Sequence, residues 1–271
     1  MKDRTITRRT ILQGGNALAG TLALGNWQGS EARGTKERPT LVVFWLNGGP
    51  AGLFNSADSF LRSGAFGVTE RNVRYLGNDL YVDADSFGAL PSAARAHMAS
   101  INFHHGITRQ HDHARAAVLE AGSRSQLLRL AAVMPGGPIR CAVVNDLGLP
   151  VGVAANPPAE DGATLERVID IEAVGRRTGA RQFDEVRAAY GMPHDQTSVR
   201  DQRSTFAAVE LLVHAGASVI FAQPAYTGRP DRQFDTHNDD TGVAARAVME
   251  PITPSLAVFL DRMLALPDGM S

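Results

Sequence analysis

Short apolar runs alternate with longer segments of helical periodicity along the chain from Thr40 onwards. The short runs are rich in β-branched and aromatic residues and have the length of strands, whereas the segments between them repeat apolar residues at helical spacing. This alternation favours a mostly parallel sheet that helices cover on both faces, so the predicted fold class is α/β. The predicted strands are Thr40–Leu46, Met98–Phe103, Ile139–Val144 and Ser218–Gln223.

Much of the remaining sequence repeats apolar residues at helical spacing. The predicted helices are His113–Met134, Leu165–Arg177, Arg203–Ala217 and Ser255–Pro267. The segment Phe54–Pro91 differs from these, since it is rich in Gly, Asp and Ser and lacks clear periodicity. We expect it to form a long excursion over the surface.

Size and composition predict one large domain with a substantial core. The chain has 271 residues, of which 44% are hydrophobic and 20% charged, which is enough to bury a full core. The formal net charge of -1 provides no basic field for nucleic acid, so small molecules are the favoured partners. The single cysteine, Cys141, excludes an internal disulfide and any metal site built from several cysteines, and its apolar neighbours predict a core position.

The N-terminus resembles a twin-arginine signal peptide. Arg8 and Arg9 precede the mildly apolar run Ile11–Leu24, and Ser30–Ala32 supplies small residues suited to cleavage. The apolar run is shorter than the roughly 20 residues that span a bilayer, so no stable membrane span is expected.

This interpretation divides the chain into a signal peptide at residues 1–32 and one domain at residues 33–271. The partner during export would be the twin-arginine translocase, which carries folded proteins, and the mature protein would be periplasmic or secreted.

Three polar clusters follow predicted strands, where an open parallel sheet collects its binding sites. They are Asn47–Gly52 (NGGPAG), His104–His113 (HHGITRQHDH) and Gln233–Asp240 (QFDTHNDD). The glycines and proline of the first cluster suit a tight turn as well as a loop that cradles a ligand. In the second, Asp112 suits the N-cap of the helix predicted from His113. His104 and His105 would face opposite sides of a strand, so at most one of them points into a shared site.

The third cluster carries the pair Asp235 and His237. Two residues apart in extended backbone, these side chains point the same way. A carboxylate and an imidazole together suit zinc or manganese, with a further ligand from His105, His111 or His113. An isolated Asp-x-His pair is also a frequent accident, and the following aspartates, Asp239 and Asp240, suit the cap of the next helix.

In this order, and behind a twin-arginine signal, the motifs LVVFWLNGGPAGLFNSAD, FHHGITRQHDH and FDTHNDD resemble the exported bacterial proteins of domain-of-unknown-function family 1501. That family is placed in the alkaline phosphatase/sulfatase superfamily. The resemblance implies an alkaline phosphatase-like three-layer sandwich with a mostly parallel central sheet. It also implies a metal-dependent site at the strand ends that hydrolyses esters.

The resemblance assigns metal ligands and a substrate loop. Asp235 and His237 correspond to the pair that holds one metal, and Asp112 with His113 corresponds to the central Asp-His of the family. His105 is a further candidate ligand, and the implied cofactor is a divalent metal, zinc or manganese. The residues expected to contact substrate are Asn47, Gly48 and Gly49.

This chain also departs from the family pattern. Ala51 stands where members usually carry serine, and Asp58 is the only nearby carboxylate, so the catalytic nucleophile stays unknown. The family continues with another strand and a late Asp-His pair, whereas this chain stops at Ser271, so the sandwich is expected to be C-terminally incomplete.

Two functions from different classes follow. The first is an exported protein related to metal-dependent phosphate or sulfate ester hydrolases, with or without catalytic activity, whose partner is a small-molecule ester. The alternative is a non-catalytic component of the cell envelope that serves in binding or assembly. A redox protein ranks last, because the chain lacks a dinucleotide-binding glycine fingerprint and the cysteines of an iron–sulfur site.

Overall fold

The computed structural model describes residues 39–46, 54, 57–101, 118–121, 124–135, 137–145, 165–168, 170–224 and 239–266. The strands are β1 (Leu41–Phe44), β2 (Val73–Tyr75), β3 (Tyr81–Asp83), β4 (Glu120–Ala121), β5 (Arg124–Ser125), β6 (Ile139–Val144), β7 (Leu165–Val168) and β8 (Ala217–Ala222). The helices are α1 (Asp58–Leu61), α2 (Ser92–Ala96), α3 (Gln126–Val133), α4 (Ile171–Thr178), α5 (Ala180–Ala189), α6 (Gln202–His214), α7 (Val243–Met249) and α8 (Ile252–Leu264). Single 3₁₀ turns lie at Ala65–Gly67 and Phe87–Ala89.

A four-stranded parallel sheet is the centre of the described fold, with strand order β1-β8-β6-β7. In this register Phe221 of β8 lies between Val43 of β1 and Val143 of β6. β2 pairs with β3, and β4 with β5, as small antiparallel ladders. The α/β class with a parallel sheet, as predicted from the alternating pattern, is therefore confirmed.

Both faces of the sheet are packed, as the mostly apolar sequences of β6 and β8 require. On one face, Val219 and Phe221 pack with α3 in what we call the smaller cluster. On the other face, Ile220 and Ala222 pack in the larger cluster, to which α4, α6 and α8 contribute. Period-two alternation along β8 produces this division, and burying a side chain such as Phe221 contributes about 1.5–3 kcal/mol.

One predicted strand is wrong over the part that the structure describes. Met98–Ile101 has no strand structure, and Ile101 is 80% exposed, which removes the burial that an apolar strand needs. The fourth strand of the sheet is instead β7, from a segment predicted to be helical. Asp170 fixes the start of α4 after this strand, because its side chain accepts a hydrogen bond from Glu172 N at 2.9 Å as the N-cap.

The helix predicted at His113–Met134 is also too long. The β4–β5 hairpin lies in the middle of this segment, and α3 begins only at Gln126. Gly122 and Ser123 separate the two short strands in sequence, and both residue types favour a turn over a helix interior. The other two predictions hold in outline, since α6 and α8 lie within or close to the predicted ranges.

The segment predicted as a surface excursion contributes to the core. Phe54, Val68 and Val82 are fully buried within it. Arg246 of α7 clamps the segment, because its Nε donates to Asp83 Oδ2 at 3.0 Å and its Nη1 donates to Phe66 O at 3.0 Å. The low apolar periodicity of this segment therefore reflects short elements tied by polar contacts.

Within the described residues, no single helix is long and apolar enough to cross a membrane. Only together do α7 and α8 have the length and apolar composition of a membrane span, and a bend of 42° separates them.

Candidate functional site

Three neighbouring strands end together at the carboxyl edge of the sheet, and their hydrogen bonds continue beyond the last strand residues. Trp45 N donates to Ala222 O at 2.8 Å, and Gln223 N donates to Val144 O at 3.3 Å. These bonds hold the ends of β1, β8 and β6 in register. Parallel sheets bind ligands at this edge, where chain segments leave neighbouring strands.

Asn145 fixes the end of β6 to the end of β8. It is buried and has a left-handed backbone with φ of 58°, a conformation that asparagine tolerates better than most residues. Its Nδ2 donates to Gln223 O at 2.9 Å. These bonds therefore tie the two strand ends together.

Gln223 places a buried carboxamide at this edge. The residue is only 2% exposed, and its Nε2 has no hydrogen-bond partner among the described residues. By the alternation along β8, its side chain follows Val219 and Phe221 on the α3 face of the sheet. A buried donor without a partner is costly, so this amide is a candidate for contact with a ligand.

A second buried polar group of the same kind lies at the N-cap of α3. Ser125 is 4% exposed, and its Oγ has no partner within the described part of the chain. It occupies the N-cap position but makes no side-chain cap hydrogen bond there. Serine at this position normally accepts from an N–H group of the first turn, so Ser125 is not acting as an ordinary cap.

The site residues predicted from the sequence lie outside the described residues. They are Asn47, Gly48, Gly49, His105, Asp112, His113, Asp235 and His237. The strand order nevertheless bears on two of the three clusters. Asn47 lies three residues after the end of β1, and the segment that contains Asp235 and His237 follows β8, the neighbour of β1. Both segments therefore start from adjacent strand ends.

Among the described residues, no group of three or more His, Cys, Asp or Glu side chains is placed to hold a metal ion. Asp58, the carboxylate nearest in sequence to the first cluster, lies exposed at the start of α1. The predicted ligand set stays a prediction, since its members lie in the segments 102–117 and 225–238.

Two structural interpretations from the sequence are confirmed. Cys141 is fully buried in β6, and burial raises the pKa of its thiol to about 12, so the reactive thiolate is absent at neutral pH. Asp239 caps α7, since its Oδ2 accepts from Ala244 N at 2.8 Å and Ala245 N at 3.2 Å. Hydrogen bonds from the Thr241 hydroxyl and from backbone N–H groups lower the pKa of Asp239.

The most deeply buried carboxylate in the described fold, Glu210, belongs to a different region. Tyr190 Oη donates to Glu210 Oε2 at 2.8 Å, and Arg262 Nε donates to Oε1 at 2.7 Å. His214 Nε2 lies 3.5 Å from Oε1. α6 continues into β8 through Gly216, so this network lies toward the amino edge of the sheet and ties α5, α6 and α8 together.

Sequence reasoning missed Asn145, Gln223 and Ser125 as candidate site residues. Gln223 ends a predicted strand, and Asn145 follows another, so their position directly after an apolar run was the available signal. Ser125 gave no signal, because the segment around it was predicted to be continuous helix.

The chain matches no protein-family model, no curated protein and no solved structure. The resemblance to family 1501 therefore stays a prediction from its three motifs.

Proposed function

We propose that this chain is an exported protein that binds a divalent metal, zinc or manganese, together with a phosphate or sulfate ester at the carboxyl edge of its sheet. The adjacency of β1 and β8 carries this proposal. The segment that begins with Asn47 follows β1, and the segment that contains Asp235 and His237 follows β8. The two segments therefore begin at neighbouring strand ends. Polar residues at such a position suit ligand binding.

The residues that would hold the metal are Asp235 and His237, with one further ligand from His105, His111 or His113. A carboxylate oxygen and imidazole nitrogens are donors that zinc and manganese accept. The metal would polarise an ester oxygen when bound. Two or three protein ligands form a weak site, because a catalytic zinc site ordinarily has three and an open position.

We expect little or no turnover of the bound ester. Hydrolysis also needs an activated nucleophile and donors for the charge that develops in the transition state. Ala51 occupies the position where the family pattern has serine, so the chain lacks the expected hydroxyl. This substitution favours a protein that binds the ester over one that cleaves it efficiently.

Export by the twin-arginine route is part of the same proposal. Arg8 and Arg9 support it, and a folded, metal-loaded protein is the kind of cargo that this route carries. The proposed location is the periplasm or the cell exterior.

A thermal-shift titration with zinc and with manganese tests the metal site. Metal at about 100 times its dissociation constant should stabilise the wild-type fold by roughly 2.7 kcal/mol, and His237→Ala should abolish that rise in melting temperature. The matched control is His97→Ala, which removes an exposed histidine after α2 and should leave the rise unchanged. Equal shifts in wild type and His237→Ala would reject the proposed ligands.

Phosphatase and sulfatase assays on the same proteins test the second half of the proposal. We expect rates close to background with either metal. Metal-dependent turnover that His237→Ala removes would contradict the expectation of weak catalysis and would identify an active hydrolase.

A further inference from the structure

Two buried polar side chains without partners among the described residues, Ser125 and Gln223, belong to elements on the same face of the sheet. Ser125 is the N-cap of α3, which packs on β6 and β8 in the smaller cluster. Gln223 extends β8 on that face. A buried polar group without a partner costs stability, so a ligand that satisfies both groups would explain why the fold buries them.

The far end of α3 is anchored at the amino edge of the sheet. Ser218 Oγ, near the start of β8, donates to Pro135 O at 3.0 Å and accepts from Gly137 N at 3.0 Å. Arg140 Nη1, near the start of β6, donates to Met134 O at 3.3 Å. α3 therefore runs from the carboxyl edge towards the amino edge, opposite to the strands.

The lengths of α3 and β8 place Ser125 and Gln223 at the same height along the strand direction. Ser125 precedes Met134 by nine residues, which is about 13 Å at the helical rise per residue. Gln223 follows Ser218 by five residues, which is about 16 Å at the strand rise. Starting from the shared anchor, both side chains reach the carboxyl edge on the α3 side.

The N-terminus of α3 adds a positive end to this corner. α3 has eight residues, and its first turn, Gln126 to Leu128, carries no acidic side chain. The first N–H groups of a helix have no partner within the helix, and its dipole favours negative charge at this end. Helix N-termini bind phosphate and sulfate for this reason.

We propose that Ser125 Oγ, the first-turn N–H groups of α3 and Gln223 Nε2 donate hydrogen bonds to the oxygen atoms of one tetrahedral oxyanion. The ligand group is the phosphate or sulfate of an ester. This inference rests on the proposed function, because it assigns the anionic end of the same ester to the α3 side of the carboxyl edge. The donors are neutral, so binding strength depends on their number and alignment.

Calorimetric titration of the full mature chain with inorganic phosphate, and separately with inorganic sulfate, tests the assignment. Gln223→Met keeps the shape of the side chain and removes the amide. It should weaken binding of the preferred anion at least tenfold, about 1.4 kcal/mol. Gln182→Met makes the same change on α5, which packs on α4 and α6, and should bind like wild type.

Stability without anion gives a second readout. Gln223→Met removes an unpartnered buried donor, so its melting temperature without anion should equal or exceed that of wild type. Ser125→Ala makes the smaller change and should show the same pair of results, which keeps the test decisive if Gln223→Met does not fold.

Three results would overturn the inference: wild-type protein that binds neither anion, variants that bind as tightly as wild type, or variants that are clearly less stable without anion. The last would show that an internal partner or a buried water satisfies these groups. A zinc-induced shift that requires His237 but no anion binding would leave the proposed metal site standing. Anion binding that requires Gln223, without any metal-induced rise in melting temperature, would support the oxyanion site and reject the proposed metal site.

Discussion

Replacing Arg262 by methionine would leave the buried carboxylate of Glu210 without its cationic partner. Glu210 is fully buried on α6, whereas the Arg262 side chain on α8 is 32% exposed. Arg262 reaches the carboxylate with both Nε and Nη2 at 2.7 Å. This pair links two helices that cover the larger cluster, so its loss should lower the free energy of unfolding.

The magnitude follows from the burial of the pair. Removing one partner of a fully buried ion pair costs about 3–5 kcal/mol. The partial exposure of Arg262 reduces this to about 2–3 kcal/mol, because water can solvate the remaining carboxylate through the opened space. Replacing Glu210 and Arg262 together by methionine should cost less than Arg262→Met alone, since no buried charge is then left unpaired.

Lowering the pH should reduce the difference in unfolding free energy between wild type and Arg262→Met. Burial raises the pKa of Glu210, but hydrogen bonds from His214, Arg262 and Tyr190 outweigh it, so the net pKa lies below its ordinary value of 4.5. A lowered pKa gives stability that is present above the ordinary value and is lost as the pH falls through the folded-state pKa. The difference between wild type and Arg262→Met should therefore shrink below about pH 4.5.

Urea denaturation of the three proteins at pH 7 and at pH 4 measures both effects. The control is Arg181→Met, which breaks an exposed pair with Glu185 one helical turn away and should leave the midpoint unchanged. An Arg262→Met protein as stable as wild type at pH 7, or a double variant less stable than the single one, would refute this role of the ion pair.

Two other predictions concern export and the segment Phe54–Pro91 that Arg246 holds in place. Changing Arg8 and Arg9 to lysine should leave tagged precursor in the cytoplasm, and undiminished periplasmic protein by cell fractionation would refute the signal assignment. Gly242→Ala should destabilise the protein by about 1–3 kcal/mol, because φ is 72° and the new Cβ would lie 2.6 Å from Phe66 O. Gly64→Ala, also at positive φ but with open space around it, should cost less in urea denaturation, and an equal cost would contradict the steric argument.

The central strands could be predicted because their pattern is local. β6 matches the predicted range Ile139–Val144, and β8 is displaced by one residue from Ser218–Gln223, since strands buried on both faces appear as mostly apolar runs. β7 lacked such a run, because Glu166 and Arg167 interrupt it. The adjacency of β1 and β8 depends on contacts between distant parts of the chain, which no local pattern specifies.

Sequence reasoning selected candidate site residues by their type, and it missed those that stand out only because they are buried. Asp235 and His237 attract attention because their side chains bind metals, wherever they lie. Gln223 and Ser125 carry ordinary polar groups whose meaning depends on being buried without partners, and burial is decided by the packing of α3 on the sheet. A single glutamine or serine in a sequence gives no indication of that packing.

The most direct measurement of the central claim is a zinc anomalous difference map from crystals of the mature protein grown with zinc. The proposed function predicts one peak at the carboxyl edge near the ends of β1 and β8, with His237 nitrogen at about 2.0–2.1 Å and an Asp235 oxygen in the same coordination sphere. A peak bound elsewhere, or His237 held only by backbone partners away from that edge, would contradict it.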